Sequence, residues 1–341
     1  MRELTVVASA VSALMEFAIS RGASREALLE RSGVHLSDLE DRDQRVAFSK
    51  YVALMRAGQE LCRDPALALH FGEGIPITEF SLGCQVGQYS ESMAEGLALF
   101  NRYAPLTVEV EGIGTGDRFA FERGNGLVWI IDRRENPNDF PELTESAFAR
   151  MISTSRPFLG DKPFLKAVHV THPEPSYRAE YDRIFRVPVV FGSNKNALLA
   201  DDSWMDLSPP SPSRPMLDVL KAHSEALLEK LESSKSTQGQ VESLLVSLLP
   251  SGKATVDIVA NSMGQSRQSL FRKLRAEGVT FEEVLDALRH KLALRYLNGE
   301  GLTVKETAFQ LGFSEPASFS RAFKRWTGRS PAEVRQKHHS L

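Results

Sequence analysis

Apolar residues recur at helical spacing over residues 6–20, 24–32, 48–62 and 93–103, so the first hundred residues are expected to be mainly helix. The period then shifts. Runs at 106–111, 118–122 and 127–132 are rich in β-branched and aromatic residues, and the glycine-containing stretches 112–117 and 124–126 between them predict a β-meander. A helix is expected over 142–154, and strand-like runs at 164–171 and 187–191 bracket another over 177–185. After the proline-rich stretch 208–215, residues 216–231 have the spacing of an amphipathic helix, and the polar run 232–240 is the best linker in the chain. From Val241 onward the pattern is helical throughout. The expected fold class is α+β: a mixed α/β domain over 1–232, a linker over 233–240, and an all-α domain over 241–341.

The all-α part contains an internal repeat. Residues 256–278 read VDIVANSMGQSRQSLFRKLRAEG, and residues 304–328 read VKETAFQLGFSEPASFSRAFKRWTG. Ala260 and Gly264 return 48 positions later as Ala308 and Gly312, while Leu270 and Leu274 return 49 positions later as Phe319 and Phe323. Two copies are too few for a solenoid and point to a duplicated motif. A helix-turn-helix needs a short first helix, a tight turn with a residue that tolerates positive φ, and a second helix crossing the first closely. Ala260 and Ala308 supply the small side chain at each crossing, and Gly264 and Gly312 supply the turns. Ser266, and Ser314 or Glu315, are the polar starts of the second helices.

With Leu270, Leu274, Phe319 and Phe323 turned inward, the outward positions follow. They are Arg267, Gln268, Phe271, Arg272 and Arg275 in the first copy, and Pro316, Ala317, Ser320, Arg321, Lys324 and Arg325 in the second. Arg and Gln suit base edges in the major groove, whereas Lys and Arg toward the helix ends suit phosphates. Residues 281–297 have helical spacing and form a stiff connector, able to hold two recognition helices in successive major-groove segments ~34 Å apart. The all-α domain is thus expected to hold two helix-turn-helix units joined by a long helix.

Charge divides the chain the same way. The net charge is −3, but residues 253–341 hold 15 Lys and Arg against 9 Asp and Glu, a net of +6, which leaves 26 against 35, or −9, for the first 252 residues. A basic module joined to an acidic one fits phosphate neutralisation by one part and a different task for the other. No stretch approaches the ~20 apolar residues of a membrane span, and residues 1–17 carry Glu3 and Glu16 without a signal-peptide pattern, so a cytoplasmic protein with no membrane partner is expected. Cys62 and Cys84 lack metal-ligand spacing and are expected to be small buried hydrophobes. Neither a metal nor a cofactor is expected.

The stretch GFSEPASFSRAFKRWTGRSPAEVR, residues 312–335, resembles the C-terminal signature of the AraC/XylS family of transcription regulators. The likeness lies in the Gly-Phe after the supporting helix, the aromatic-Lys step at Phe323 and Lys324, and the Gly-x-x-Pro ending at Gly328 and Pro331. By that resemblance, base readout falls to Gln268, Phe271 and Arg272 in the first unit and to Pro316, Ala317, Ser320 and Arg321 in the second. Phe271 departs from the family pattern, in which a polar side chain is frequent, leaving contact with a thymine methyl or a backbone-facing role. The first domain more loosely resembles the arabinose-binding-like sensor domain of one branch of that family. The matching features are Asp64-Pro65 through His70-Phe71-Gly72, Gly83 to Gly87, and Tyr181 to Phe191. The resemblance implies a sequence-specific regulator, an activator on double-stranded promoter DNA with RNA polymerase as partner, working as a homodimer under a small-molecule effector.

For that effector, Tyr103, Arg150 and His169 are the polar groups expected to converge within walls of Phe, Val and Ile, which suits an apolar or amphipathic molecule with a carboxylate for Arg150. His169 and His172, three apart on a strand, face opposite sides and lack a third ligand, so they are not expected to bind metal. Residues 112–116 are glycine-rich without phosphate-loop spacing and read as a hairpin turn. No catalytic constellation stands out, and the chain is not expected to be an enzyme. Two alternatives stay open: a catalytic first domain working through Cys62 or Cys84, and a first domain that only dimerises.

Overall fold

The computed structural model describes residues 3–80, 82–110, 117–159, 164–209, 211–298 and 302–338. The chain separates into two compact units, Met1–Leu228 and Glu229–Leu341. The first is mixed α/β and the second all-helical.

In the first unit, β1 (Thr5–Val7) and β2 (Arg45–Ala47) pair antiparallel beside α1 (Ala8–Ser20), α2 (Arg25–Ser32), α3 (Phe48–Cys62) and α4 (Leu67–Gly74). Apolar side chains from these elements, including Val11, Leu14, Leu54 and Phe71, form one buried cluster. Then come α5 (Met93–Thr107), the strands β3 (Phe119–Gly124) and β4 (Leu127–Asp132), α6 (Glu142–Leu159), β5 (Leu165–His169), α7 (Arg178–Phe185), β6 (Val189–Val190), β7 (Asn196–Asp201) and α8 (Arg214–Lys235). The five strands lie in the order β3-β4-β7-β5-β6, with the β5–β6 pair parallel and the other three pairs antiparallel. The β3–β4 turn holds Asn125 at φ 54° and Gly126 at φ 75°, the consecutive left-handed pair that a two-residue hairpin requires. Sheet, α6 and α7 close a second cluster around Phe148, Val168, Ile184 and Leu198.

Helices α4 and α6 approach so closely that no Cβ fits at Gly72, where one would lie 2.3 Å from the Ser146 carbonyl oxygen. The next residue back, Glu145, is sealed against the opposite side. Its Oε1 accepts hydrogen bonds from the hydroxyls of Tyr177 (2.8 Å) and Tyr181 (2.6 Å), and the Tyr181 hydroxyl also meets His172 Nε2 at 2.8 Å. Glu145 Oε2 is buried without a partner, and burial pushes the carboxyl up to about 7 against the pull of the two phenols.

The second unit contains α9 (Thr237–Leu248), α10 (Val256–Ser262), α11 (Arg267–Ala276), α12 (Phe281–Asn298), α13 (Val304–Gln310), α14 (Pro316–Thr327) and α15 (Pro331–His338). They share one apolar cluster in which Val259, Leu270, Leu274, Ala308, Phe319 and Phe323 are fully buried.

Several expectations need correction. The strand expected over 106–111 is the end of α5 and a single bridge between Val108 and Val6. Arg45 explains the change, because its guanidinium donates to the carbonyls of Pro105 and Leu106 and caps the helix end from 60 residues away. At the start of the chain, Val6 and Val7 belong to β1, so the helix expected from residue 6 begins at Ala8. The polar run expected as a linker is the end of α8, a break at Ser236 and the start of α9, whose first turn the Ser236 hydroxyl caps. Residues 112–116, read as a hairpin turn, lie outside the described residues.

Candidate nucleic-acid interface and effector cavity

Each half of the repeat folds as a helix-turn-helix. In the first, Thr255 caps α10, Gly264 turns the chain at φ 63°, and the Ser266 hydroxyl accepts from the Ser269 amide at 3.2 Å to start α11. In the second, Thr303 and Glu306 form a reciprocal capping box on α13, and Gly312 turns at φ 74°. Pro316 stands at the first position of α14, and Glu315 makes no side-chain cap there. Ala260 and Ala308 are buried, as the close crossings demand.

Burying Leu270 and Leu274 leaves Arg267, Gln268, Arg272 and Arg275 exposed along α11, while Phe271 is half-buried against the core. The Arg267 guanidinium lies 5.3 Å from the Phe271 ring centre and 3.6 Å from Asp257 of the supporting helix. On α14, Ala317, Arg321, Lys324 and Arg325 are exposed, and Pro316 and Ser320 are half-buried. The Ser320 hydroxyl turns back to the Pro316 carbonyl at 2.9 Å, and Arg321 reaches Ser318 at 3.1 Å. Arg325 is tied to Asp286 of α12. Arg272 and Arg321 therefore sit at matching outward places, one per recognition helix.

A cavity of about 320 Å³ lies inside the first unit. Of the three side chains expected at the effector, it brings in one. Arg150, on α6, is 6% exposed and lines the cavity; its Nε donates to the Ile75 carbonyl at 2.9 Å, and its guanidinium stacks on Phe71 and Phe80. Tyr103 is absent from the lining because its hydroxyl donates to Glu225 of α8 at 2.7 Å, beside an Arg102–Glu225 ion pair. His169 stands on β5 against the Trp129 ring edge and bonds Ser193.

Sequence reasoning missed Tyr51 and Arg118, which line the cavity from α3 and from just before β3. No local motif marks them, since 67 residues separate them and folding alone brings them to one wall. Arg118 is buried and bonds Asp132 through Nε and Nη2 at 3.2 and 3.0 Å; Arg134 joins the same carboxylate. Burial and the neighbouring Arg118 charge push the Arg134 guanidinium down to about 10. Cys62 is half-buried and donates to the Ala18 carbonyl, and burial pushes its thiol up, the opposite of an activated nucleophile. The Cys84 side chain is outside the described part. Among the described residues, no group of three or more His, Cys, Asp or Glu side chains is placed to hold a metal, and no helix is long and apolar enough to cross a membrane.

A mixed α/β unit followed by paired helix-turn-helix units defines a DNA-binding transcription regulator. The chain matches the N-terminal arabinose-binding domain of AraC transcription regulators over residues 22–208 and a helix-turn-helix domain over residues 259–337, and it belongs to the AraC family. The ornithine utilization regulator of Pseudomonas aeruginosa is 27% identical over 98% of this chain and 97% of its own length. An HTH-type transcriptional regulator of Mycobacterium tuberculosis is 28% identical over 95% of this chain and 94% of its own. The crystal structure of the transcriptional regulator CdpR from Pseudomonas aeruginosa aligns with 80% of this chain and 87% of that one, at 22% identity and a TM-score of 0.40.

Proposed function

We propose that this regulator reads promoter DNA through Gln268, Phe271 and Arg272 of α11 and Pro316, Ala317, Ser320 and Arg321 of α14. Arg267, Arg275, Lys324 and Arg325 serve the phosphates on either side. The observation that carries this is the pair of turn-and-helix units whose recognition helices each keep cations outward after burying their apolar face. Binding of a promoter fragment across a salt series tests it: the logarithm of affinity falls linearly with the logarithm of salt concentration, with a slope of about −0.9 for each phosphate contacted. A flat series overturns it.

The first unit carries control. A small-molecule effector enters the cavity, which lies between α6 and the elements α1, α3 and α5, and touches Pro209 and Ser211 just ahead of α8. A ligand that favours one placement of that segment shifts the regulator between states. Homodimerisation is supported by the exposed Met216 and Val219 on α8. Activation through contact with RNA polymerase completes the reading, with residues 233–240 as the boundary between control and DNA binding. The name of the Pseudomonas aeruginosa relative ties that protein to ornithine utilization. Ornithine carries two ammonium groups, and the described wall of this cavity offers no carboxylate to pair with either, so that ligand is not carried over.

A further inference from the structure

We propose that the cavity of the first unit takes an amphipathic monoanion, a carboxylate head on an apolar body, with the head between the Tyr51 hydroxyl and the Arg118 and Arg150 guanidiniums. This deepens the effector reading given above and rests on it.

Among the described residues lining the cavity, the formal charges are those of Arg118 and Arg150, both positive, and no Asp or Glu contributes to the wall. Behind Arg118 stands Asp132, with its side chain fully buried, and Arg134 bonds the same carboxylate. Arg118 helps to push the Arg134 guanidinium down, Asp132 and Glu142 pull it up, and burial, which would raise Asp132, is outweighed by Arg118 and then Arg134. Neither carboxylate reaches the described wall, so a monoanion placed there meets two cations, whereas a cation meets two like charges.

Tyr51 is 5% exposed and lines the cavity, and its hydroxyl has no hydrogen-bond partner among the described residues. Burial pushes the phenol up to about 12, against the fields of Arg150 and Arg118, so it stays protonated and able to donate. The hydroxyl opens on the cavity, where a carboxylate oxygen is a stronger acceptor than the water it would replace.

The rest of the described wall is mostly apolar, with Phe80, Leu97, Phe100, Phe119, Leu143 and Met151. Neutral side chains such as Gln88, Ser146 and Thr154 interrupt it, but its formal charge is that of the two guanidiniums, which suits a mainly apolar molecule with one charged end.

The test uses the full chain and three probes with one shared body: decanoate, decanol and decyltrimethylammonium, titrated calorimetrically below their micellar concentrations. Decanoate is expected to bind at least about tenfold more tightly than decanol, and the cation not at all. Tyr51→Phe removes only the hydroxyl and no protein hydrogen bond, so the variant is expected to melt as the parent does, to lose about tenfold in decanoate affinity, and to bind decanol unchanged. Equal binding of decanoate and decanol overturns the anionic class while keeping the cavity as a ligand site. Unchanged decanoate binding by Tyr51→Phe overturns the placement of the head. Failure of all three probes, in protein that still binds promoter DNA, overturns the effector reading of the cavity itself.

Discussion

The two helix-turn-helix units are built from the same repeat but are braced differently. At the first turn nothing lies within 4 Å of where a Gly264 Cβ would be, so glycine is needed there only for its positive φ. At the second, a Gly312 Cβ would sit 2.6 Å from the Leu249 carbonyl oxygen. The same turn is held from α12, where Arg289 donates to the Leu311 carbonyl at 3.1 Å and stacks on Phe313. Its first helix carries a full capping box, where the first unit has a single long contact of 3.4 Å from Ile258 to Thr255. A duplicated motif thus keeps its geometry while its margin for change diverges, because a neighbouring backbone presses on the second turn and not on the first.

The largest difference is expected from alanine at the turns. Gly264→Ala costs about 1–2 kcal/mol in left-handed strain. Gly312→Ala adds overpacking of about 1–3 kcal/mol, since a backbone carbonyl must move. Urea melts of the two variants measure this, and equal losses would show that the second turn yields as freely as the first. The crossings should not repeat that asymmetry: Ala260→Val and Ala308→Val are both expected to cost about 1–3 kcal/mol, because both residues are fully enclosed. An unchanged melt for either would mean that its helices do not cross there.

For DNA, Arg272→Ala and Arg321→Ala are each expected to cost about 1–3 kcal/mol of specific binding and to leave the melt alone. Should random DNA lose as much affinity as the promoter site, the residue serves phosphates and not bases. The smallest effect belongs to the caps. Thr303→Ala is expected to cost about 1 kcal/mol and Thr255→Ala less, by thermal denaturation, and a larger loss at Thr255 would reverse the order of bracing.

Legibility also differed between the units. The second unit announces itself because its signals are local: caps, a glycine and buried apolar pairs recur within each short copy, 256–278 and 304–328. In the first unit, α3 spans the very residues its spacing predicts, but β7 was not foreseen. Its sequence NALLAD lacks the β-branched residues that mark a strand, and its place in the sheet comes from pairing with β4 and β5 on either side. The end of α5 was misread because its cap, Arg45, is remote. The cavity wall was legible only at Arg150, since Tyr51 and Arg118 carry no motif and acquire their meaning from the fold.

The sealed carboxyl of Glu145 gives the first unit an acid-side preference. An unfolded glutamate titrates near 4.5 and the folded one near 7, so between those values the folded chain holds the extra proton. Folding in that window is favoured by acid, and the contribution fades as the pH climbs through 7, where the ion must form without water around it. Glu145→Gln keeps an acceptor for Tyr177 and Tyr181 and removes the ionisation. Melting temperatures of the two proteins are expected to converge near pH 5 and to separate above pH 7 in favour of the variant, so the parent carries at neutral pH a strain that a small acidification of its surroundings releases.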